Sequence, residues 1–127
     1  MADNDALPTG FPVHFYRGEN GREPVRDWLK SLGRPDTLVI GEDIKLVQTG
    51  WPMGLPLCRP LGEGLYEVRS PLPNGRTARV LFCFYNNAIV LLHGFIKKTQ
   101  AIPIGELRLA KERRDRINRR QGYGTGK

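Results

Sequence analysis

Long apolar runs are missing from this 127-residue chain. No uninterrupted apolar stretch approaches the roughly 18–20 residues that a membrane-spanning helix needs. The first ten residues, MADNDALPTG, are polar and acidic, and they lack the apolar core of a secretory signal peptide. We therefore expect a cytoplasmic protein.

Cysteine is scarce, with only Cys58 and Cys83 in the chain. Two cysteines in a domain of this size do not make a disulfide framework. Cys83 lies within RVLFCFY, where a small buried apolar side chain is the expected role. The composition predicts reduced thiols, in keeping with a reducing compartment.

The motifs of several enzyme classes are also absent from the sequence. There is no GxxxxGK[ST] and no GxGxxG that opens a helix, which excludes the common nucleotide-binding loops. There is no GxSxG elbow of a serine hydrolase. His14 and His93 are the only histidines, and neither belongs to a cluster with zinc-ligand spacing. We expect no cofactor and no metal.

Positive charge is what the chain has in excess. Its 20 Lys and Arg outnumber its 13 Asp and Glu, which gives a formal net charge of +7 and a pI of about 9.9. A charge of this sign favours a polyanionic partner such as nucleic acid, an acidic protein or a membrane surface.

The first half of the chain has helical periodicity after one short strand at 11–17. In PVRDWLKSLG the apolar residues recur at i, i+3, i+4 and i+7, with Pro24 near the start and Gly33 just past the end. A second stripe of Ile40, Ile44 and Val47 follows, and Gly50 ends it. Two short helices with a tight break between them predict an αα-hairpin.

The second half alternates with the period of a sheet. Segments 64–72, 77–85 and 88–96 are predicted strands, joined by turns at PNGR and at Asn86–Asn87. A charged helix is predicted over 103–120. The order β-α-α-β-β-β-α predicts one α+β domain over 1–127, with an antiparallel sheet packed against helices and loose ends at 1–10 and 121–127.

Basic residues stand at the ends of these predicted strands. Arg69 ends LYEVR, Arg79 opens RVLFCFY, and Lys97 and Lys98 end LLHGFIKK. Arginine and lysine bind phosphates through charge-assisted hydrogen bonds, and they can stabilise the charge that develops during metal-free cleavage of RNA. We predict a site formed by these four cations.

The predicted register depends on two turns. A hairpin centred on Asn86–Asn87 pairs Arg79 with Gly94 and Val80 with His93, so that Arg79 lies at the sheet end of the lysines with open space above the glycine. A strict two-residue turn between the first two strands places Arg69 and Arg79 on opposite faces. A three-residue loop or a bulge at that turn pairs them instead.

Structural roles remain open for the same residues. Lys97 and Lys98 would serve equally well as a solvated strand end. His93, opposite Val80, is expected on the face of Phe82 as a satisfied core histidine. The two strand arginines could form ion pairs, for which the candidates are Glu42, Glu63 and Glu67. The basic residues of the final helix could be a solvated face, or they could hold phosphates or an acidic partner.

Taken together, LYEVR, RVLFCF and IVLLHGFIKKTQ-x-x-P before a charged helix resemble the phage-derived HigB branch of the RelE/ParE toxin superfamily, over residues of about 11–116. The resemblance implies the toxin of a type II toxin–antitoxin system, which cuts mRNA in the ribosomal A site without a metal. It also implies a helix-turn-helix, HigA-like antitoxin encoded beside it. A ParE-like inhibitor of DNA gyrase, or a basic RNA- or antitoxin-binding module without catalysis, is the alternative.

By position, the four predicted site residues match basic active-site positions of that family. The resemblance implies phosphate and transition-state stabilisation for Arg79 and a role near the leaving group for Lys98. Glu67 departs from the pattern, in which a basic residue stands in that strand, and Tyr123 does not match the late tyrosine. Further RNA contacts are predicted for three basic residues, which are Arg76, Arg108 and Lys111.

Overall fold

The computed structural model describes residues 10–52, 54, 57–97 and 101–119. Apart from Gly10, the predicted loose ends at 1–10 and 121–127 lie outside the described residues, as does Lys98. The elements are β1 (Val13–Phe15), α1 (Pro24–Ser31), α2 (Arg34–Gly50), β2 (Cys58–Gly62), β3 (Leu65–Pro71), β4 (Thr77–Tyr85), β5 (Ala88–Lys97) and α3 (Ile104–Arg119). No helix in the described ranges is long and apolar enough to cross a membrane.

The five strands form one sheet in the order β1-β5-β4-β3-β2. β1 runs parallel to β5, and the other neighbours are antiparallel. The predicted α+β class is confirmed, but the predicted order omitted β2. Its sequence, CRPLG, ends in glycine and carries Pro60, which lacks the N–H that a central strand needs and fits only at a sheet edge.

Helices cover both faces of the sheet. Side chains alternate between the two faces along β4. Val80 and Phe82 lie on the face under α1 and α2, whereas Leu81 and Cys83 lie on the face under α3. The predicted helical stripes are confirmed, since Val25 of α1 and the apolar stripe of α2 are buried in the first core. The nearly continuous apolar character of β4 follows from its central place between two covered faces.

The loop between β3 and β4 is longer than a two-residue turn. A 3-10 turn spans Pro73–Gly75, and both Asn74 and Gly75 have positive φ angles, of 67° and 72°. The Leu72 N–H donates to the Arg76 carbonyl at 2.9 Å and closes the loop. Arg69 therefore pairs with Arg79, as the irregular alternative predicts.

The hairpin between β4 and β5 turns at Asn86–Asn87, whose φ angles of 52° and 60° match the tight turn that the sequence predicts. The register shifts farther along, between Leu81 and Phe82, where Leu92 is the extra residue on β5. The predicted partners of Arg79 and Val80 are therefore wrong by one residue. The observed pairs are Arg79 with Phe95, Val80 with Gly94, and Leu81 with His93.

The register shift also shows that the prediction of open space above Gly94 is wrong. This glycine lies on the face of the first two helices, and the ring of Trp28 rests directly on it. A Cβ at position 94 would stand 2.4 Å from Cζ3 of Trp28. The open space expected beside Arg79 is therefore filled by tryptophan on the opposite face of the sheet.

Candidate functional site

Four charged side chains lie on the α3 face of the sheet, where β3 ends and β4 begins. Arg59 of β2 pairs with Glu67 of β3, and Arg69 of β3 pairs with Arg79 of β4. Residues two apart on a strand share a face, so both pairs point the same way. We call Arg59, Glu67, Arg69 and Arg79 the arginine cluster.

Glu67 holds the cluster together from within the sheet. It is fully buried, at 0% exposed, and its two carboxylate oxygens are divided between two arginines. Nε of Arg59 donates to Oε1 at 2.6 Å, and Nη1 of Arg79 donates to Oε2 at 3.3 Å. A buried carboxylate is tolerable only when it is paired in this way. The ion pair that the sequence offered between Arg79 and Glu67 is confirmed.

Arg79 forms the floor of the cluster, and its side chain is 1% exposed. Arg69 is half-buried beside it, and the side chain of Arg59 is 33% exposed at the sheet edge. The cluster itself contains three guanidinium groups and one carboxylate. An anion that approaches from solvent meets Arg59 and Arg69 before it meets Arg79.

Lys97 extends the positive surface at the end of β5. It pairs with Thr77, two positions beyond the pair of Arg79 and Phe95, so it faces the same side as the cluster. Its side chain is half-buried. The structure thus brings Arg69, Arg79 and Lys97 to one face, while the prediction for Lys98 lies outside the described residues.

The three further RNA-binding candidates lie elsewhere. Arg76 belongs to the β3–β4 loop and pairs with Asp36 of α2, through hydrogen bonds of 2.9 and 3.2 Å. Lys111 of α3 lies 3.6 Å from the Glu63 carboxylate, near the turn between β2 and β3. Arg108 is exposed on α3. None of these contacts joins the candidates to the arginine cluster.

His93 lies on the opposite face from the one predicted, because the register shift turns it toward α3. Its Nε2 is 2.5 Å from Oε1 of Glu106, and its Nδ1 is 3.5 Å from Nη1 of Arg113. The imidazole also lies against the ring of Phe95, with 5.6 Å between centroids. His93 therefore links the first turn of α3 to β5, near the arginine cluster.

Sequence reasoning missed Arg59 and the partner of His93. Arg59 was overlooked because β2 was not predicted, and only strand pairing shows that it lies opposite Glu67. Glu106 stands 13 residues from His93 and on a helix, so no local spacing joins the two. The available signal for Arg59 was Glu67 itself, a carboxylate between Tyr66 and Val68 in a predicted strand, where burial would require cations nearby.

The two cysteines are poorly suited to act as nucleophiles. Burial raises the pKa of the Cys58 thiol, and of the Cys83 thiol, to about 11. Both therefore stay protonated at neutral pH, when a nucleophile needs thiolate. Within the described ranges, no group of three or more His, Cys, Asp or Glu side chains is placed to hold a metal ion.

Comparison with known proteins gives one family match. Residues 27–115 match the model of the family described as phage derived protein Gp49-like (DUF891). The matched segment runs from α1 into α3 and contains all four members of the arginine cluster. No curated protein matches the chain.

Proposed function

Because this chain belongs to the phage-derived Gp49-like family, whose members are known as RelE/HigB-like toxins, we propose that it is the toxin of a type II toxin–antitoxin pair. We propose further that it cleaves mRNA on the ribosome without a metal. The observation that carries the nuclease proposal is the pairing of Arg69 with Arg79, which sets both arginines on the face of Lys97.

In metal-free cleavage, the 2′-OH of one nucleotide gives up its proton and attacks the adjacent phosphate, which becomes a 2′,3′-cyclic phosphate. The bond to the 5′-oxygen breaks, and the 5′-oxygen receives a proton. Negative charge accumulates on the non-bridging oxygens at the transition state, where fixed cations lower the barrier. Arg69 and Lys97, both half-buried, are the cations suited to contact those oxygens. Arg79 contributes positive potential from the floor and keeps Glu67 in place.

The leaving 5′-oxygen needs a proton donor. Lys98 remains our candidate near the leaving group, as its position in the FIKK sequence implies. Like charges close to a lysine favour its neutral form and so equip it for proton transfer. Its role requires that it reach the face of Lys97.

The proposed partners follow from the charge and the family. A net charge of +7 suits ribosomal RNA and mRNA, toward which it would accelerate association. The family implies an antitoxin, for which we propose the helix-turn-helix, HigA-like type. We propose a cytoplasmic location, where the ribosome is found.

The test is a cell-free translation reaction in which the 5′ ends of a reporter mRNA are mapped after addition of the purified protein. We expect new 5′ ends within translated codons, and we expect that Arg69→Gln/Lys97→Gln lowers cleavage by at least about 100-fold. Lys45→Gln is the matched control, because Lys45 is exposed on α2 at the other face of the sheet. This control should cleave like the wild type.

Two outcomes would contradict the proposed nuclease function. The mRNA could stay intact while the protein blocks supercoiling by DNA gyrase, which would establish a ParE-like inhibitor. Alternatively, the double variant could cleave as fast as Lys45→Gln, which would place the active site elsewhere.

A further inference from the structure

Arg59 is the one arginine of the cluster that lies on an edge strand and shares a carboxylate. We propose that Arg59 is a phosphate-binding residue that holds the RNA backbone next to the scissile phosphate and so extends the site onto β2. The inference rests on the proposed ribonuclease function and deepens it. Nothing in the family match or in the sequence motifs assigns this residue.

The first argument is orientation. Nε of Arg59 donates to Glu67 at 2.6 Å, and Glu67 is fully buried and cannot move away. An arginine has five N–H donors in a planar group, so one bond at Nε fixes the plane while the terminal nitrogens keep four donors. With 33% of its side chain exposed, Arg59 offers a guanidinium already oriented for two oxygens of a phosphate.

The second argument is the geometry of the ion pair, for which Arg76 provides a contrast within the chain. Both terminal nitrogens of Arg76 bind the two oxygens of Asp36. Glu67 instead contacts Arg59 at Nε and accepts from Arg79 with its other oxygen. The ion pair of Arg59 therefore does not engage its terminal nitrogens, which can bind two oxygens of a phosphate.

The third argument is distance. Arg59 pairs with Glu67, and Arg69 stands two positions farther along the same strand, which makes Arg59 and Arg69 diagonal neighbours on one face. Such neighbours lie about 7–8 Å apart. This separation allows the two guanidinium groups to hold different phosphates of one single strand. RNA is the favoured occupant because its phosphates repeat along the chain.

Binding is measured separately from cleavage. The probe is a fluorescein-labelled oligoribonucleotide that carries 2′-O-methyl groups and cannot be cut, and anisotropy is recorded over a series of salt concentrations. We expect Arg59→Gln to weaken binding about tenfold, which is the effect of one charge-assisted contact. We also expect the slope of log K against log salt to fall by about 0.7, as for one lost phosphate contact on a single strand.

Arg59→Lys tests whether the planar guanidinium group contributes to binding beyond its positive charge. It should keep most of the salt slope and still lose affinity several-fold, because lysine cannot bind two oxygens of a phosphate at once. Lys45→Gln is again the control, and it should bind like the wild type. Circular dichroism and thermal unfolding establish that each variant is folded.

The inference is overturned if a folded Arg59→Gln binds the oligonucleotide like Lys45→Gln. It is also overturned if Arg59→Gln weakens binding of a glutamate-rich peptide but not of RNA, which would indicate an acidic protein partner. If Arg59→Gln does not fold, the test rests on Arg59→Lys. Wild-type affinity in that variant would contradict binding of two phosphate oxygens by the planar guanidinium group. A wild type that binds RNA through Arg59 yet cuts no mRNA would overturn the proposed ribonuclease function and would leave intact only the assignment of Arg59 as a phosphate-binding residue.

Discussion

Arg79 shows how one residue can serve the site and the fold at once. Its side chain is 1% exposed, and it supplies one of the two ion pairs of the buried Glu67. Removal of one partner from a buried pair is costly, because the remaining charge keeps its desolvation penalty. The loss of activity in an Arg79 variant would therefore mix chemistry with stability, whereas Arg69 is the cleaner probe.

We predict that Arg79→Ala lowers the free energy of unfolding by about 3 kcal/mol, because Glu67 keeps only Arg59. The same change at half-buried Arg69 should cost about 1 kcal/mol or less. Urea denaturation of both variants gives the comparison. A loss below about 1 kcal/mol in Arg79→Ala would contradict a stabilising role for the buried ion pair with Glu67.

Position 94 requires glycine because the Trp28 side chain packs directly against it. We predict that Gly94→Ala lowers the free energy of unfolding by about 1–3 kcal/mol, because the new methyl group would stand 2.4 Å from the Trp28 ring and force it off the sheet. Urea denaturation and near-UV circular dichroism measure the change.

Gly41→Ala is the control for Gly94→Ala, since an added Cβ there meets nothing within 4 Å and the residue lies inside α2. It should stabilise the protein by about 1 kcal/mol, because alanine is the better helix former. Equal effects at the two glycines would contradict the packing of Trp28 on β5.

At the scale of elements, α3 is attached to the sheet through polar contacts as well as through the apolar core beneath it. Only Ala110 is fully buried within it, whereas Arg113 donates to the Leu92 carbonyl at 2.7 Å and lies over the Tyr16 ring at 5.6 Å. Arg114 binds the carbonyl of Glu63. Burial is strong enough at Arg113 to lower the pKa of its guanidinium.

We predict that Arg113→Ala loosens α3 in particular. The free energy of unfolding should fall by about 2 kcal/mol, because the buried Leu92 carbonyl loses its charged donor. Amide exchange should accelerate in α3 and not in α2, as hydrogen–deuterium exchange would show.

Arg108→Ala serves as the matched control for Arg113→Ala, since this exposed arginine of the same helix should change stability by less than about 0.5 kcal/mol. Uniform acceleration across all helices would contradict a local attachment of α3 through Arg113.

The whole molecule couples its stability to pH through two buried thiols. Cys58 is 0% exposed and Cys83 is 3% exposed, and burial raises the pKa of each from 9.0 to about 11. Unfolded thiols lose their protons near pH 9, whereas folded ones keep them until about pH 11. The stability contribution is therefore complete below pH 9 and is lost as pH rises toward 11.

We predict that unfolding free energy falls by about 2 kcal/mol per thiol between pH 8 and pH 10.5. Cys58→Ala/Cys83→Ala should show a shallower fall over the same range, although the variant is less stable at pH 8. Urea denaturation at both pH values measures the two slopes. Parallel slopes would show that the native thiols ionise as easily as the unfolded ones.

The sequence by itself determined the parts that depend on local pattern. Helical spacing predicted α1 and α2, and alternation with Asn86–Asn87 predicted β4, β5 and their turn. These features follow from backbone sterics and from the period at which apolar side chains share a face. The α+β class and the grouping of basic residues at strand ends follow from the same periods.

Tertiary structure alone decided how those parts meet. The register shift at Leu92 moved His93 to the face of Glu106, and a one-residue slip of this kind exchanges faces for every following side chain. The five-residue connection after β3 set Arg69 beside Arg79. Arg59 came to Glu67 only through pairing of an unpredicted edge strand. Such contacts depend on the free energy of burying charge across the whole sheet, which no local spacing encodes.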